Sequence, residues 1–234
     1  MLASARRAFS FGLIRYPRYS FCMTQTPVLW SFRRCPYAMR ARLALASAAQ
    51  PVALREIVLR DKPEAFLAAS PSGTVPCLDL GPSQIDESLD IMIWALEQSD
   101  PEGLLNMPAE GHALIAACDG PFKAALDRTK YATRYEGSDT EAERAKASAF
   151  IAKLDTQLGG KLWLFGARPT LADLAILPFV RQFAHIDQAW FAAQPWPAVQ
   201  SWLAAFKASP RFETIMQKYP PWQSPEAGHP FPES

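Results

Sequence analysis

The chain is short of cysteine, histidine, net charge and long apolar runs, and each shortage excludes something. Four cysteines, Cys22, Cys35, Cys77 and Cys118, are spread over 234 residues, which excludes a disulfide-stapled secreted scaffold and points to a reducing compartment. Three histidines, His112, His185 and His229, stand singly without metal-ligand spacing, and there is no glycine-rich phosphate loop. No metal and no tightly bound cofactor are therefore expected. With 24 Lys and Arg against 23 Asp and Glu, the net charge of +1 lacks the basic excess of a nucleic-acid binder. No apolar run approaches the roughly 20 residues of a transmembrane helix. The expectation is a soluble, cytoplasmic protein with neither nucleic acid nor membrane as partner. Residues 1–26 have no acidic residue but hold Arg6, Arg7, Arg15 and Arg18, a composition like that of a mitochondrial transit peptide. The segment is read as an extension outside the domains, a misassigned start ahead of Met23. The location is mitochondrial only if residues 1–22 are a leader.

From Pro27 the punctuation is regular. "VLWSF", "PYAMRARLALASAA", "VALREIVL", "PEAFLAA", "TVPCLDL", "SQID" and "ESLDIMIWALEQ" read by period and breakers as β-α-β, a connector helix, then β-β-α. Gly81-Pro82-Ser83 marks a hairpin turn between the last two strands. Breakers between Ser99 and Pro108 mark a domain boundary, after which strand signals nearly vanish. The expected organisation is an α/β domain over residues 27–100, an all-helical domain over 108–220 with an interruption at Gly120-Pro121, and an extended tail over 221–234. Thr170 and Asp173 form a variant capping box, a folding device rather than a site.

One stretch carries chemistry. In "FRRCPYAMRARLAL", Pro36 suits the first position of a helix, which places Cys35 at the N-cap with backbone N–H groups facing its sulfur. The helix dipole and the flanking Arg33 and Arg34 are expected to favour the thiolate. A fall in thiol pKa from about 8.5 to about 6.5 corresponds to about 2.7 kcal/mol; its larger benefit comes when Cys35 is the leaving group. A two-cysteine redox pair would need its second sulfur one turn on, where Ala38 stands. The second thiol must come from solution, and in a reducing cytosol that points to glutathione. Cys77 and Cys118 read as core.

"CPYA" after the first strand, "SGTVPCL" before the third and "DESLDIMIWALE" at the third helix resemble, in this order and spacing, a glutathione transferase of the cysteine-type, omega-like branch, close to glutaredoxins. The resemblance runs from Pro27 through "TLADLAILP" and implies a thioredoxin-like α/β domain followed by an all-α domain. It further implies that Val75-Pro76 is a cis-proline turn whose backbone pairs with the cysteinyl part of glutathione. Glu87 and Ser88 hold the γ-glutamyl end in that reading, and Lys62 reaches the tripeptide's carboxylate region. The family's usual homodimer is expected.

The half of the site for a second substrate is read from "DRTKYATRY". Lys130 and Arg134, at i and i+4, share a helix face beside Tyr131, and together with Tyr37 could bind an anionic or aromatic co-substrate. The activity expected is glutathione-dependent thiol transfer through a Cys35–glutathione mixed disulfide, compatible with deglutathionylation and dehydroascorbate reduction on small-molecule or protein substrates. The rivals are a conventional transferase, with Ser31 and Tyr37 as the available hydroxyls, and a non-catalytic glutathione-binding regulatory protein.

Overall fold

Strand β1 (Val28–Ser31) runs parallel to β2 (Val52–Glu56), and the crossover between them is helix α1 (Pro36–Ser47). The computed structural model that shows this describes residues 25–135, 137 and 139–233. Apart from residues 25 and 26, the expected N-terminal extension lies outside the described residues. Helix α2 (Glu64–Ala69) leads into β3 (Cys77–Asp79), antiparallel to β1, then β4 (Gln84–Ile85) and α3 (Ser88–Gln98). The β3–β4 turn closes as its residues dictate. The Asp79 carboxylate accepts the Gly81 N–H at 2.8 Å, and Gly81 has φ +91°, a conformation open to glycine.

The two-residue period of the strands divides the core. Leu29, Leu54 and Leu78, on three neighbouring strands, join one apolar cluster with Leu43 of α1 and Ile91 of α3. Trp30 and Cys77 occupy the alternate positions and face a smaller cluster with Ile57, Phe66 and Val75. This is a thioredoxin-like domain, and its larger cluster runs on without a break into the helical domain through Leu174 and Phe179.

That second domain comprises α4 (Ala109–Ala117), α5 (Lys123–Lys130), α6 (Thr140–Leu158), α7 (Leu171–Ala184), α8 (Gln188–Ala192), α9 (Pro197–Lys207) and α10 (Pro210–Met216). The interruption expected at Gly120-Pro121 is instead a five-residue π turn, Cys118–Phe122, which keeps α4 and α5 on one helical path. Pro121 has no N–H to give, and a wider turn accommodates it without a break. Asp173, buried at the start of α7, accepts the Thr170 N–H and hydroxyl at 2.8 Å each and the Leu164 N–H at 2.9 Å. The capping pair thus anchors the preceding loop as well as the helix. No helix among the described residues is long and apolar enough to cross a membrane.

The C-terminal run does not behave as a tail. β5 (His229–Phe231) pairs antiparallel with β2, giving a five-stranded sheet of order β4-β3-β1-β2-β5. Before it, the Trp222 N–H donates to the Glu56 carbonyl at 2.8 Å, and the Trp222 ring meets Trp30 edge-on at 5.1 Å. The Arg55 guanidinium lies against both rings, at 4.9 and 4.6 Å. A three-residue strand with a central proline carries almost no sequence signal, and proline is tolerated there because β5 is an edge. Replacing Trp222 by alanine empties the small cluster. We expect a loss of about 3 kcal/mol, lowering Tm by about 6–12 °C in thermal unfolding; an unchanged Tm would show that the C-terminal run contributes nothing to the domain.

Candidate active site

β1 ends at Ser31 and the chain turns back over three residues, with the Cys35 N–H donating to the Phe32 carbonyl at 3.0 Å. Pro36 opens α1, and Cys35 is its N-cap in extended conformation (φ −70°, ψ 123°), its carbonyl accepting the Met39 N–H at 2.9 Å. The sulfur therefore stands at the head of a helix, as the Cys-Pro order predicts. Facing it is the Val75-Pro76 peptide, which is cis, and Cys35 Sγ lies 3.7 Å from the Val75 carbonyl oxygen. Two motifs far apart in the chain meet at one point.

The state of the thiol differs from the sequence expectation. Burial pushes the Cys35 thiol up, against the lowering effects of the Ala38 and Tyr37 N–H groups and of the Arg42 and Lys123 charges. The Val75 oxygen also accepts from the neutral thiol and would repel a thiolate. The flanking arginines do not do what was expected of them: Arg34 is exposed and lies over the Phe32 ring at 5.4 Å, and the Arg33 charge acts on Glu56, Arg42 and Arg181 rather than on the sulfur. The cations that act on the sulfur are Arg42, two turns along α1, and Lys123, at the head of α5.

Glu87 caps α3 with its side chain exposed. Ser88 is buried and its Oγ accepts from Arg40 Nε at 3.0 Å. Arg40, itself 2% exposed, forks onto both oxygens of Asp119 in the helical domain at 2.8 and 2.9 Å. Lys62 is exposed and donates to the Gly73 carbonyl at 2.9 Å, bracing the loop that leads into Val75. Asp86 ties down the same loop from the other side, accepting from Ser70 Oγ at 3.0 Å and the Ser72 N–H at 2.8 Å. Of these expected site residues, Val75 is the one in contact with the sulfur; Lys62, Glu87 and Ser88 belong to the same α/β domain.

The second-substrate residues are brought together less well. Helix α5 stops at Lys130, and Tyr131 leaves it with ψ 42°, so Lys130 and Arg134 do not share a helix face as expected. Both cations fold instead onto the Tyr131 ring, at 4.9 and 4.4 Å. Lys123 reaches the site in their place, 5.5 Å from the Tyr37 ring and paired with Asp127. Tyr37 packs edge-on against Phe179 at 4.8 Å, and its phenol is pushed up to about 12 by burial and by Asp119. Ser31, expected as an available hydroxyl, is wholly buried under Arg42 and faces no solvent. Cys77 is buried, its thiol pushed up to about 12 by burial and then by Asp86. Cys118 is buried and likewise raised. Among the described residues no cluster of His, Cys, Asp and Glu could hold a metal.

Arg40, Arg42, Glu56, Asp119 and Lys123 escaped the sequence reading. The arginines lie in a run that reads as a solvated helix face, and each of their acidic partners is 14 or more residues away from them in a different element.

This geometry has counterparts. The pattern of the glutathione S-transferase N-terminal domain matches residues 29–103, and that of the C-terminal domain matches residues 123–205. The chain belongs to the glutathione S-transferase family. Glutathione S-transferase DHAR2 of Arabidopsis thaliana is 27% identical over 190 residues, covering 79% of this chain and 84% of that one. Maleylacetoacetate isomerase of Pseudomonas aeruginosa is 26% identical over 201 residues, covering 79% and 92%. A glutathione transferase family member from Pseudomonas fluorescens, solved with two glutathione molecules bound, superposes with a TM-score of 0.70 at 25% identity over 82% of this chain and 92% of that one. As a glutathione S-transferase, the protein pairs its thioredoxin-like domain with the all-helical one, and Arg40, on the helix that Cys35 caps, joins the two through Asp119.

The raised thiol gives a direct test. The sulfur of this ligand-free glutathione S-transferase should be alkylated by iodoacetamide with a midpoint above the ordinary cysteine value of about 8.5, followed on the Cys35 peptide by mass spectrometry. The sign follows from burial, which penalises the anion, so reactivity rises only as pH climbs past the raised value. A midpoint below that value would show that the helix N–H groups, Arg42 and Lys123 outweigh burial.

Proposed function

We propose that this glutathione S-transferase is a glutathione-dependent thiol transferase that works through a Cys35–glutathione mixed disulfide. The observation that carries the reading is the sulfur at the head of α1, 3.7 Å from the Val75 carbonyl, with Ala38 and not a second cysteine one turn on. Tyrosine or serine in that place could only donate a hydrogen bond to a bound thiolate; sulfur can form and break a bond with it. The glutathione held by the solved relative supports the choice of thiol substrate.

In this proposal glutathione lies along residues 74–76. Its cysteinyl N–H donates to the Val75 carbonyl, Glu87 attracts the ammonium and Ser88 the carboxylate of the γ-glutamyl end, and Lys62 meets a carboxylate at the other. Once a ligand N–H occupies the Val75 oxygen, the Cys35 thiol loses its acceptor and the carbonyl no longer repels the thiolate. The Cys35 thiolate then attacks the glutathione sulfur of a mixed disulfide, the Cys35–glutathione bond forms, and the partner leaves as a thiolate that takes up a proton. A second glutathione thiolate attacks the glutathione sulfur held on Cys35. Oxidised glutathione departs and the Cys35 thiolate is restored, with Lys123 and Arg42 as the nearby cations that favour its departure. Residues 27–100 carry the glutathione half and residues 108–220 most of the wall toward the second substrate, through Phe179 and Lys123 packed about Tyr37 of α1 and with Lys130, Tyr131 and Arg134 at a greater remove. A cytoplasmic homodimer belongs to the same proposal.

Cys35→Ala and Cys35→Ser should both abolish turnover of a glutathione mixed disulfide, since neither side chain can bond to sulfur. Incubation of the parent with oxidised glutathione should leave one adduct, on the Cys35 peptide. A parent that turns over an aryl halide but no mixed disulfide would instead be a conventional transferase, and one that binds glutathione with no turnover on either would be a binding protein. Glu87→Ala should raise the glutathione KM about tenfold and leave kcat within about twofold, because the γ-glutamyl end is held alike in substrate and transition state. Unchanged KM would remove Glu87 from the site.

A further inference from the structure

Beneath the Cys35 turn lies a second buried guanidinium whose partners are the turn itself. Arg42 is 2% exposed. Its Nη2 donates to the Arg33 carbonyl at 2.7 Å and its Nη1 to the Ser31 hydroxyl. The N–H of the same Arg33 donates to Glu56 Oε1 at 2.6 Å. One residue of the turn is therefore gripped by both of its peptide groups, from α1 on one side and from β2 on the other. Glu56 is fixed in turn by its backbone, since β2 pairs it with Ser31 and the C-terminal run donates the Trp222 N–H to its carbonyl. Nothing in the thiol-transfer scheme uses Glu56, yet a carboxylate this buried is expensive to keep unless it has a task.

We propose that Arg42 and Glu56 act together as positioning residues for the Cys35 thiol, fixing the 31–35 turn through the Arg33 peptide and setting the charge beneath the sulfur by their mutual balance. The groups facing Arg42 are Glu56 from β2, Cys35 and Arg33 from the turn, and Tyr219 from the C-terminal run; the other charge acting on Cys35 is Lys123 of α5. Burial lowers Arg42, with Glu56 the largest opposing influence. Burial pushes Glu56 up, against the Arg33 N–H and then the charges of Arg42, Arg33 and Arg34. A guanidinium keeps its proton across the range in which a thiol titrates, so Glu56 acts on the sulfur by offsetting the Arg42 charge and not by maintaining it. The arginine favours the Cys35 thiolate and the glutamate restrains how strongly it does so.

The role of this pair deepens the thiol-transferase reading and rests on it for its significance, but its test does not, because iodoacetamide alkylation of Cys35 needs no glutathione. The pH midpoint of that alkylation is measured on the Cys35 peptide of the full-length protein in Arg42→Met, Arg42→Lys and Glu56→Gln. Arg42→Met should raise the midpoint by about one pH unit, which cuts the thiolate fraction on its acid side about tenfold. Arg42→Lys, which keeps the charge, should bring it back toward the parent. Glu56→Gln keeps an acceptor for the Arg33 N–H and removes the countercharge, so the midpoint should fall. Opposite movement in Arg42→Met and Glu56→Gln is the signature, since simple loosening of the turn would move both the same way. Movement in the same direction, or none, overturns the proposal. Should Arg42→Met fail to fold, Glu56→Gln decides alone, a fall supporting the proposal and an unchanged or raised midpoint refuting it. Loss of the thiol-transfer activity in the Cys35 variants without these midpoint changes, or the changes without that activity, tells the two readings apart.

Discussion

Two arginines on the buried face of α1 set the demands that the rest of the site answers. A guanidinium out of water needs partners for its charge and most of its donors, and breaking such a pair costs about 3–5 kcal/mol. Arg40 finds its partners in Ser88 at the head of α3 and Asp119 in the helical domain. Arg42 finds partners for its two terminal nitrogens in Ser31 and the Arg33 carbonyl and is offset by the charge of Glu56, while its Nε donates to none of the described residues. The first set joins the domains; the second fixes the turn that carries the sulfur. Satisfying two buried charges thereby places the head of α1, the head of α3 and the wall of the helical domain in relation to one another.

Within that frame the sulfur is a compromise. The head of a helix and two nearby cations pull toward the thiolate, while burial and the facing Val75 oxygen pull toward the thiol, and burial wins in the free protein. A thiol that burial keeps neutral is protected from adventitious oxidation, because the thiolate is the reactive form. The same compromise gives the countercharge at Glu56 a purpose that a solvated residue would not have.

The C-terminal run ties the last residues of the chain to the first strands. Its backbone reaches Glu56, its Trp222 completes the cluster under Trp30, and β5 covers the free edge of β2. An uncovered edge strand is an open template for pairing with other chains, and here the protein's own terminus occupies it.

Much of this was legible in the order of residues. Pro36 behind Cys35, the Val75-Pro76 pair, the Gly81-Pro82 turn and the Thr170–Asp173 cap each act over a few residues, through fixed φ, absent N–H groups or short side chains. The sequence therefore determined the thioredoxin-like and all-helical domains, the position of the sulfur at a helix start and the lack of a second cysteine beside it. It did not determine the thiol's ionisation, the parting of Lys130 and Arg134, the burial of Ser31 or the docking of β5. Those depend on which groups from distant elements exclude water around them, and desolvation is a property of the packed structure, with no signature in local spacing. Arg33 and Arg34 show the difference most plainly: adjacent to Cys35 in sequence, they yield to Arg42 and Lys123, which only the tertiary fold brings to the sulfur.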